Sequence, residues 1–111
     1  MMIEKRLKFS PDLVPSVLEG SKTSTWRVGD DKNLSEGDIL SMVNSKTGEI
    51  FTRGKITSVV EKPLGQLTDE DRVGHEKFEN EEEMYRTYSE YYNKPVSSKT
   101  KIKIVRYQLI P

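Results

Sequence analysis

The sequence predicts an α+β fold, an antiparallel β-barrel of about five or six strands carrying about three short helices. Runs that alternate apolar and charged residues open and close the chain, and a long β-prone hairpin lies between them. The helical stretches are gathered in two blocks and do not alternate with every strand, which favours this architecture over a doubly wound parallel sheet. At 111 residues the chain has room for one modest core, so residues 1–111 are read as a single domain.

"KRLKFS" sets Leu7 and Phe9 against basic neighbours, the period of a half-buried strand. "PDLVPSVLEG" places Leu13, Val17 and Leu18 on a helical stripe. Asp12 as N-cap would put Pro15 in the first turn, where a missing N–H costs little, and Gly20 suits the C-terminal cap. "TSTWRV" has the β-branched and aromatic composition of a strand, and "DKNLSEGD" behind it that of a turn. "DILSMVNSKTGEIFTRGKITSVVEK" reads as a long hairpin turning near Lys46 to Gly48, with Gly54 as a candidate bulge.

Thr68 before Asp71, and Asn80 before Glu83, have the spacing of capping boxes and predict two consecutive helices. In the second, Met84, Tyr88, Tyr91 and Tyr92 form a stripe that is read as core packing in preference to a base-stacking platform. "KTKIKIVRYQLI" alternates Ile102 and Ile104 with lysines, loses that phase near Val105, and is read as a strand that ends in the sheet interior.

Lys plus Arg and Asp plus Glu number 18 each, for a formal net charge of +0, and with 33% hydrophobic residues the composition is globular. The balance hides an asymmetry, since eight carboxylates fall between Asp69 and Glu83 and five basic residues with no acid between Lys94 and Arg106. The amino-terminal stretch is basic as well, and pairing of the two ends would create a basic strip able to meet phosphates. The absence of cysteine excludes disulfides and thiolate metal sites, and His75 alone cannot build a zinc site, so no metal or other cofactor is expected. No apolar run has the length of a transmembrane helix and "MMIEKRLKFS" lacks a signal-peptide core, which points to the cytoplasm.

The stretch with most chemistry is "EGSKTSTWR", residues 19–27. Its "GSKT" imitates the tail of a phosphate-binding P-loop, but Ser21 and Ser16 stand where that loop needs glycines. The order of elements is also reversed, because this segment leaves a helix and enters a strand. A nucleoside-triphosphate site is therefore rejected.

What remains is Gly20, Lys22, Thr23, Thr25 and Arg27 at the start of a strand, and this pattern resembles the signature of the ASCH domain family. The resemblance extends to "LKFSPDLVPSVLEG", "SEGDIL", the hairpin, "LTDED" with the acidic helical pair, and the last strand. It implies a PUA-like fold, a small partly open β-barrel with helices over its ends, and recognition of RNA or a modified nucleoside. It also implies kinship with small bacterial enzymes that deacetylate N4-acetylcytidine. Their lysine, threonine and glutamate carry over to Lys22, Thr25 and Glu76, with Glu79 as the other acidic candidate because the spacing around "RVGHEKFENEEE" is slightly longer.

Amide hydrolysis asks for a nucleophile, a base and stabilisation of an oxyanion. Thr25 would attack the acyl carbonyl if a neutral Lys22 took its proton, while the glutamate would position groups or handle a proton. Thr23 and Arg27 are candidate binding residues on the same strand face as Thr25, and Trp26, on the opposite face, is read as core. Two functions follow, a module that binds RNA or a modified nucleoside and a metal-independent amidohydrolase.

Overall fold

Leu7 and Phe9 turn to one face of strand β1 (Glu4–Phe9) and are buried, while Lys8 between them is exposed, as a two-residue period requires. The computed structural model describes residues 4–29, 32–75 and 77–110. After β1 come a 3-10 turn (Pro11–Leu13), α1 (Val14–Glu19), β2 (Ser24–Val28), β3 (Ile39–Asn44) and β4 (Ile50–Pro63). A second 3-10 turn (Leu64–Gln66), α2 (Asp69–Arg72), α3 (Glu81–Tyr92) and β5 (Lys101–Leu109) complete the order.

Among the described residues the strands form a 5-stranded sheet in the order β1-β3-β4-β5-β2. All neighbours pair antiparallel except β1 and β3, whose connection crosses over through α1 and β2 and makes that pair parallel. The 14-residue β4 is long enough to pair with β3 near its start and with β5 beyond. Register shifts between Met42 and Val43, and between Ile56 and Ser58, bend these strands, and the sheet curls into a half-barrel. Its two free edges are β1 and β2.

Both faces of the sheet are covered. Leu7, Phe9, Val17, Leu40, Met42, Ile56 and Val105 form one core cluster with α1, and Trp26, Leu64, Met84, Tyr88, Ile102 and Ile104 form the other with α3. The loss of phase near Val105 now has a reason. An interior strand buries both faces, so Ile104 serves one cluster and Val105 the next.

Several expectations hold and others are corrected. Gly20 (φ 90°) ends α1 in the left-handed region, Gly48 (φ 77°) lies in the hairpin turn, and Thr68 makes the capping box with Asp71. Asp12, expected as N-cap, lies inside the first 3-10 turn and caps neither it nor α1, because the segment starts two residues early, at Pro11, with Ser10 in the N-cap place. Asn80 accepts from the Glu83 backbone at 2.8 Å and so caps α3. Gly54 lies in regular register and not at a bulge; a side chain there would meet the Gln108 carbonyl at 3.1 Å and Met42 at 3.2 Å. The two basic ends do not pair, since β1 neighbours β3 while β5 neighbours β4 and β2.

The short α2 is fixed from two sides. Lys62 on β4 pairs with Asp71 at 2.7 Å, and Arg106 on β5 donates to the carbonyls of Glu70 (2.8 Å) and Val73 (3.1 Å), satisfying acceptors that a helix end leaves open. The chain then passes through Gly74, whose carbonyl accepts from the backbone N–H of Thr23 (2.8 Å) and of Ser24 (3.2 Å). Gly74 has φ +79°, and a β-carbon there would stand 1.9 Å from the Thr23 hydroxyl oxygen.

Gly74→Ala is therefore expected to cost about 2–3 kcal/mol, from left-handed strain and displacement of Thr23 together. Urea denaturation checks it, and a loss under about 0.5 kcal/mol would contradict the close approach. For Asp71, burial raises the carboxyl pKa, but hydrogen bonds from Lys62 and from Thr68 outweigh it and hold it below the usual range. A depressed folded pKa gives stability that is present above the unfolded value of about 3.9 and is lost as pH falls through the folded one. Lys62→Met should thus cost about 1 kcal/mol near neutral pH. The difference from the parent should shrink in denaturation curves taken at about pH 3, and an undiminished gap there would argue against the pair as its source.

Candidate functional site

The edge strands β1 and β2 are bridged by a side chain. Arg27 on β2 donates through Nη2 to the Lys8 carbonyl on β1 at 3.1 Å, with its guanidinium 5.2 Å from the centre of the Phe9 ring. Here, between the open edges and α3, lies a cleft of about 230 Å³. Lys22, Thr25, Trp26 and His75 form its buried part, and Lys8, Ser10, Asp12 and Tyr91 lie around the rim.

The helix-to-strand turn puts Lys22 into this wall. After Gly20 reverses the chain, the Lys22 N–H donates to the Ser16 carbonyl at 3.0 Å and the Lys22 carbonyl accepts from the Tyr107 hydroxyl at 2.7 Å. With its backbone held on both sides, the side chain is only 4% exposed and its Nζ donates to the Ser24 carbonyl at 2.9 Å. Thr25, 5% exposed, lines the same cleft. A buried lysine beside a buried threonine is unusual, since lysine is almost never fully buried unless paired.

Lys22, Thr25 and Arg27 are thus brought to one cleft. Thr23 is exposed, packs its hydroxyl toward Gly74, and is not among the cleft-lining residues. Glu76 lies outside the described residues, and Glu79 is exposed and is not among the cleft-lining residues, although its neighbour Phe78 is. Trp26 is buried in the α3-side core and also borders the cleft.

Sequence reasoning missed the aromatic wall. The Gly74 contact sets the His75 ring on Trp26, with centroids 3.7 Å apart and planes inclined by 12°. The Tyr88 hydroxyl lies 3.2 Å from His75 Nε2, and Phe78 packs against both rings. The tyrosine stripe of α3 divides in two. Met84 and Tyr88 are core as expected, whereas Tyr91 is 54% exposed and meets Tyr92 edge-on at the cleft. Burial pushes the Tyr92 hydroxyl above its usual range, opposed by the Val28 backbone and by Arg27, so it is a neutral phenol near neutral pH. The sequence signal for this wall is the i, i+3, i+4 spacing of Tyr88, Tyr91 and Tyr92, a spacing that serves a core face and a cleft face alike.

Among the described residues no group of three His, Asp or Glu could hold a metal ion, and no helix is long and apolar enough to cross a membrane.

No protein-family model matches the sequence, and no curated protein matches it. Solved structures do match. A protein of Enterococcus faecalis V583 assigned to the family model DUF984 superposes with a TM-score of 0.81 at 14% identity, over 99% of this chain and 82% of that one. An ASCH domain from Lactobacillus crispatus JV V101 gives 0.67 at 13% identity, covering 96% and 79%. A point mutant of an ASCH protein from Zymomonas mobilis gives 0.66 at 16% identity, covering 97% and 73%. At these identities the likeness concerns architecture, and on that ground the curled half-barrel described above is the PUA-like fold of the ASCH domains.

Proposed function

We propose that this is an ASCH-domain protein of the cytoplasm whose cleft binds a modified nucleoside, free or within RNA. The observation that carries the reading is the convergence of Lys22, Thr25 and Arg27 with an aromatic wall on one small cleft. Its volume of about 230 Å³ falls just under the range of roughly 300–1,000 Å³ usual for ligand pockets and suits one flat heterocycle with its substituents. Aromatic rings supply faces for a base, and the lysine and arginine supply donors for its carbonyl groups.

A second reading has its own support in the burial of both Lys22 and Thr25, polar groups kept from water in the same wall. In this reading the protein is a metal-independent amidohydrolase for N4-acetylcytidine. The Thr25 oxygen adds to the acetyl carbonyl while Lys22, as the neutral amine, takes the hydroxyl proton. The C–N bond then breaks, Lys22 returns that proton to the departing exocyclic nitrogen, and water hydrolyses the acetyl-threonine ester to acetate. The ASCH resemblance adds Glu76 as the acidic member, with Glu79 the other candidate.

One experiment separates these readings. Purified protein is titrated with N4-acetylcytidine, with the fluorescence of Trp26, the single tryptophan, reporting binding and the ultraviolet absorbance reporting conversion to cytidine. Saturable binding that weakens about tenfold or more in Lys22→Met and in Arg27→Ala is expected, about the effect of removing a hydrogen bond from a charged group. Turnover that disappears in Thr25→Ala assigns the hydrolase, and binding without turnover assigns the module. Binding that ignores both the Lys22 and the Arg27 change would remove this cleft as the site.

A further inference from the structure

Polar groups of the cleft are sorted by depth and by kind. Deep in the wall, Trp26 Nε1 on β2 is a buried donor with no hydrogen-bond partner, and so is Nε of the next residue, Arg27, whose guanidinium spans the cleft mouth. Buried donors without partners are rare in folded proteins and point to an acceptor supplied from elsewhere. Trp26 itself is 3% exposed. The rim is of the opposite kind. Asp12 is exposed in the first 3-10 turn, caps no helix, and among the described residues makes no hydrogen bond or ion pair. Ser10 borders the cleft two residues before it, and its side chain caps nothing either.

A carboxylate is an acceptor only, and it seeks hydroxyl or amino donors. The ligand that complements this arrangement carries acceptors on its buried end and hydroxyls on its outer end. We propose that Asp12, with Ser10 beside it, reads the 2′- and 3′-hydroxyls of a ribonucleoside whose base lies on the deep side of the cleft, so that the preferred ligand is a monomeric ribonucleoside. This inference rests on the nucleoside reading above and sharpens it.

The chemistry has a general precedent, because an acidic residue that accepts from ribose hydroxyls is how dinucleotide folds recognise that sugar. The same carboxylate disfavours a nucleotide inside RNA. A 3′-phosphodiester removes one of the two donors and sets a negative charge near Asp12, a repulsion that weakens with salt. Lys8 stands on the same rim without an ion pair to Asp12 among the described residues, which leaves the carboxylate its acceptor role.

The test compares N4-acetylcytidine with its 2′-deoxy counterpart and with a short oligoribonucleotide carrying the same base internally. Affinity is read as Kd, or as KM where the ligand turns over. The parent protein is expected to prefer the ribonucleoside to the deoxynucleoside by about tenfold, the usual worth of a hydrogen bond to a charged group. It should also bind the oligonucleotide more weakly than the nucleoside. Asp12→Ala should bring the ribose preference close to one, and Asp12→Asn, which keeps one acceptor oxygen, should leave part of it. Asp12 is exposed, so neither variant threatens the core. A preference unchanged in Asp12→Ala, or tighter binding of the oligonucleotide by the parent, would overturn the ribose assignment while leaving the nucleoside cleft standing. Failure of the parent to bind any of the three would overturn both.

Discussion

The carbonyl of Gly74 is the contact on which the site depends. It accepts two backbone N–H groups at the start of β2, an edge strand with one side unpaired, and so fastens the segment after α2 onto the motif that carries Lys22 and Thr25. Only glycine meets the two demands made there, a φ of +79° and the absence of a β-carbon against Thr23. Arg106 and Lys62 fix α2 to β5 and β4, and that in turn fixes where Gly74 arrives. His75 follows at once and is laid on Trp26. A wall made from two distant parts of the chain thus has its geometry set by backbone hydrogen bonds, which are short and directional, and not by the rotamers of surface side chains.

The cleft exists because the sheet does not close. Five strands curl far enough to bring β1 and β2 near one another, and Arg27 spans what backbone pairing leaves open. A guanidinium suits this place, since one group can donate to the Lys8 carbonyl, lie over Phe9 and retain further donors. Arg27 therefore has a structural role as well as the binding role assigned to it, and replacing it would loosen the cleft mouth in addition to removing charge.

Much of the fold is legible in the sequence because its signals are local. Alternation marks β1 and β5, Gly20 and Thr68 mark helix ends, and the hairpin announces its turn. Strand pairing is less so. Nothing in the order of residues says that β1 runs parallel to β3 or that the two basic ends stay apart, because those outcomes depend on the crossover and the sheet order. In the site, Lys22, Thr25 and Arg27 stand out through their spacing in "GSKTSTWR", and the structure gathers them. Strict alternation would place Thr23 on the same face, but the strand begins only at Ser24, so the alternation does not reach it. His75 escapes a sequence reading because a lone histidine is weighed as a metal ligand, whereas its place on Trp26 is created by a long-range contact. Asp12 reads as a cap because capping residues are chosen by type, and starting the turn at Pro11 leaves the same carboxylate at the rim.

The departures from local rules gather at one place. Lys22, Thr25 and Ser24 are buried polar residues, and Trp26 Nε1 and Arg27 Nε are buried without partners, all within six consecutive positions. Each unpartnered buried polar atom costs about 1–3 kcal/mol, so a stretch selected only for stability would not keep them together. The α3-side core cluster, which takes in Trp26 and Val28, together with pairing to β5 and the hydrogen bonds to the Gly74 carbonyl, holds this strand in register and offsets that cost. Conflicts with local preference are expected where a protein meets its ligand, and a frame that over-determines β2 is what lets the conflict persist. The rim then needs no such support. Asp12 and Ser10 keep their hydration there, and the energetic demand on the fold ends where the cleft opens to water.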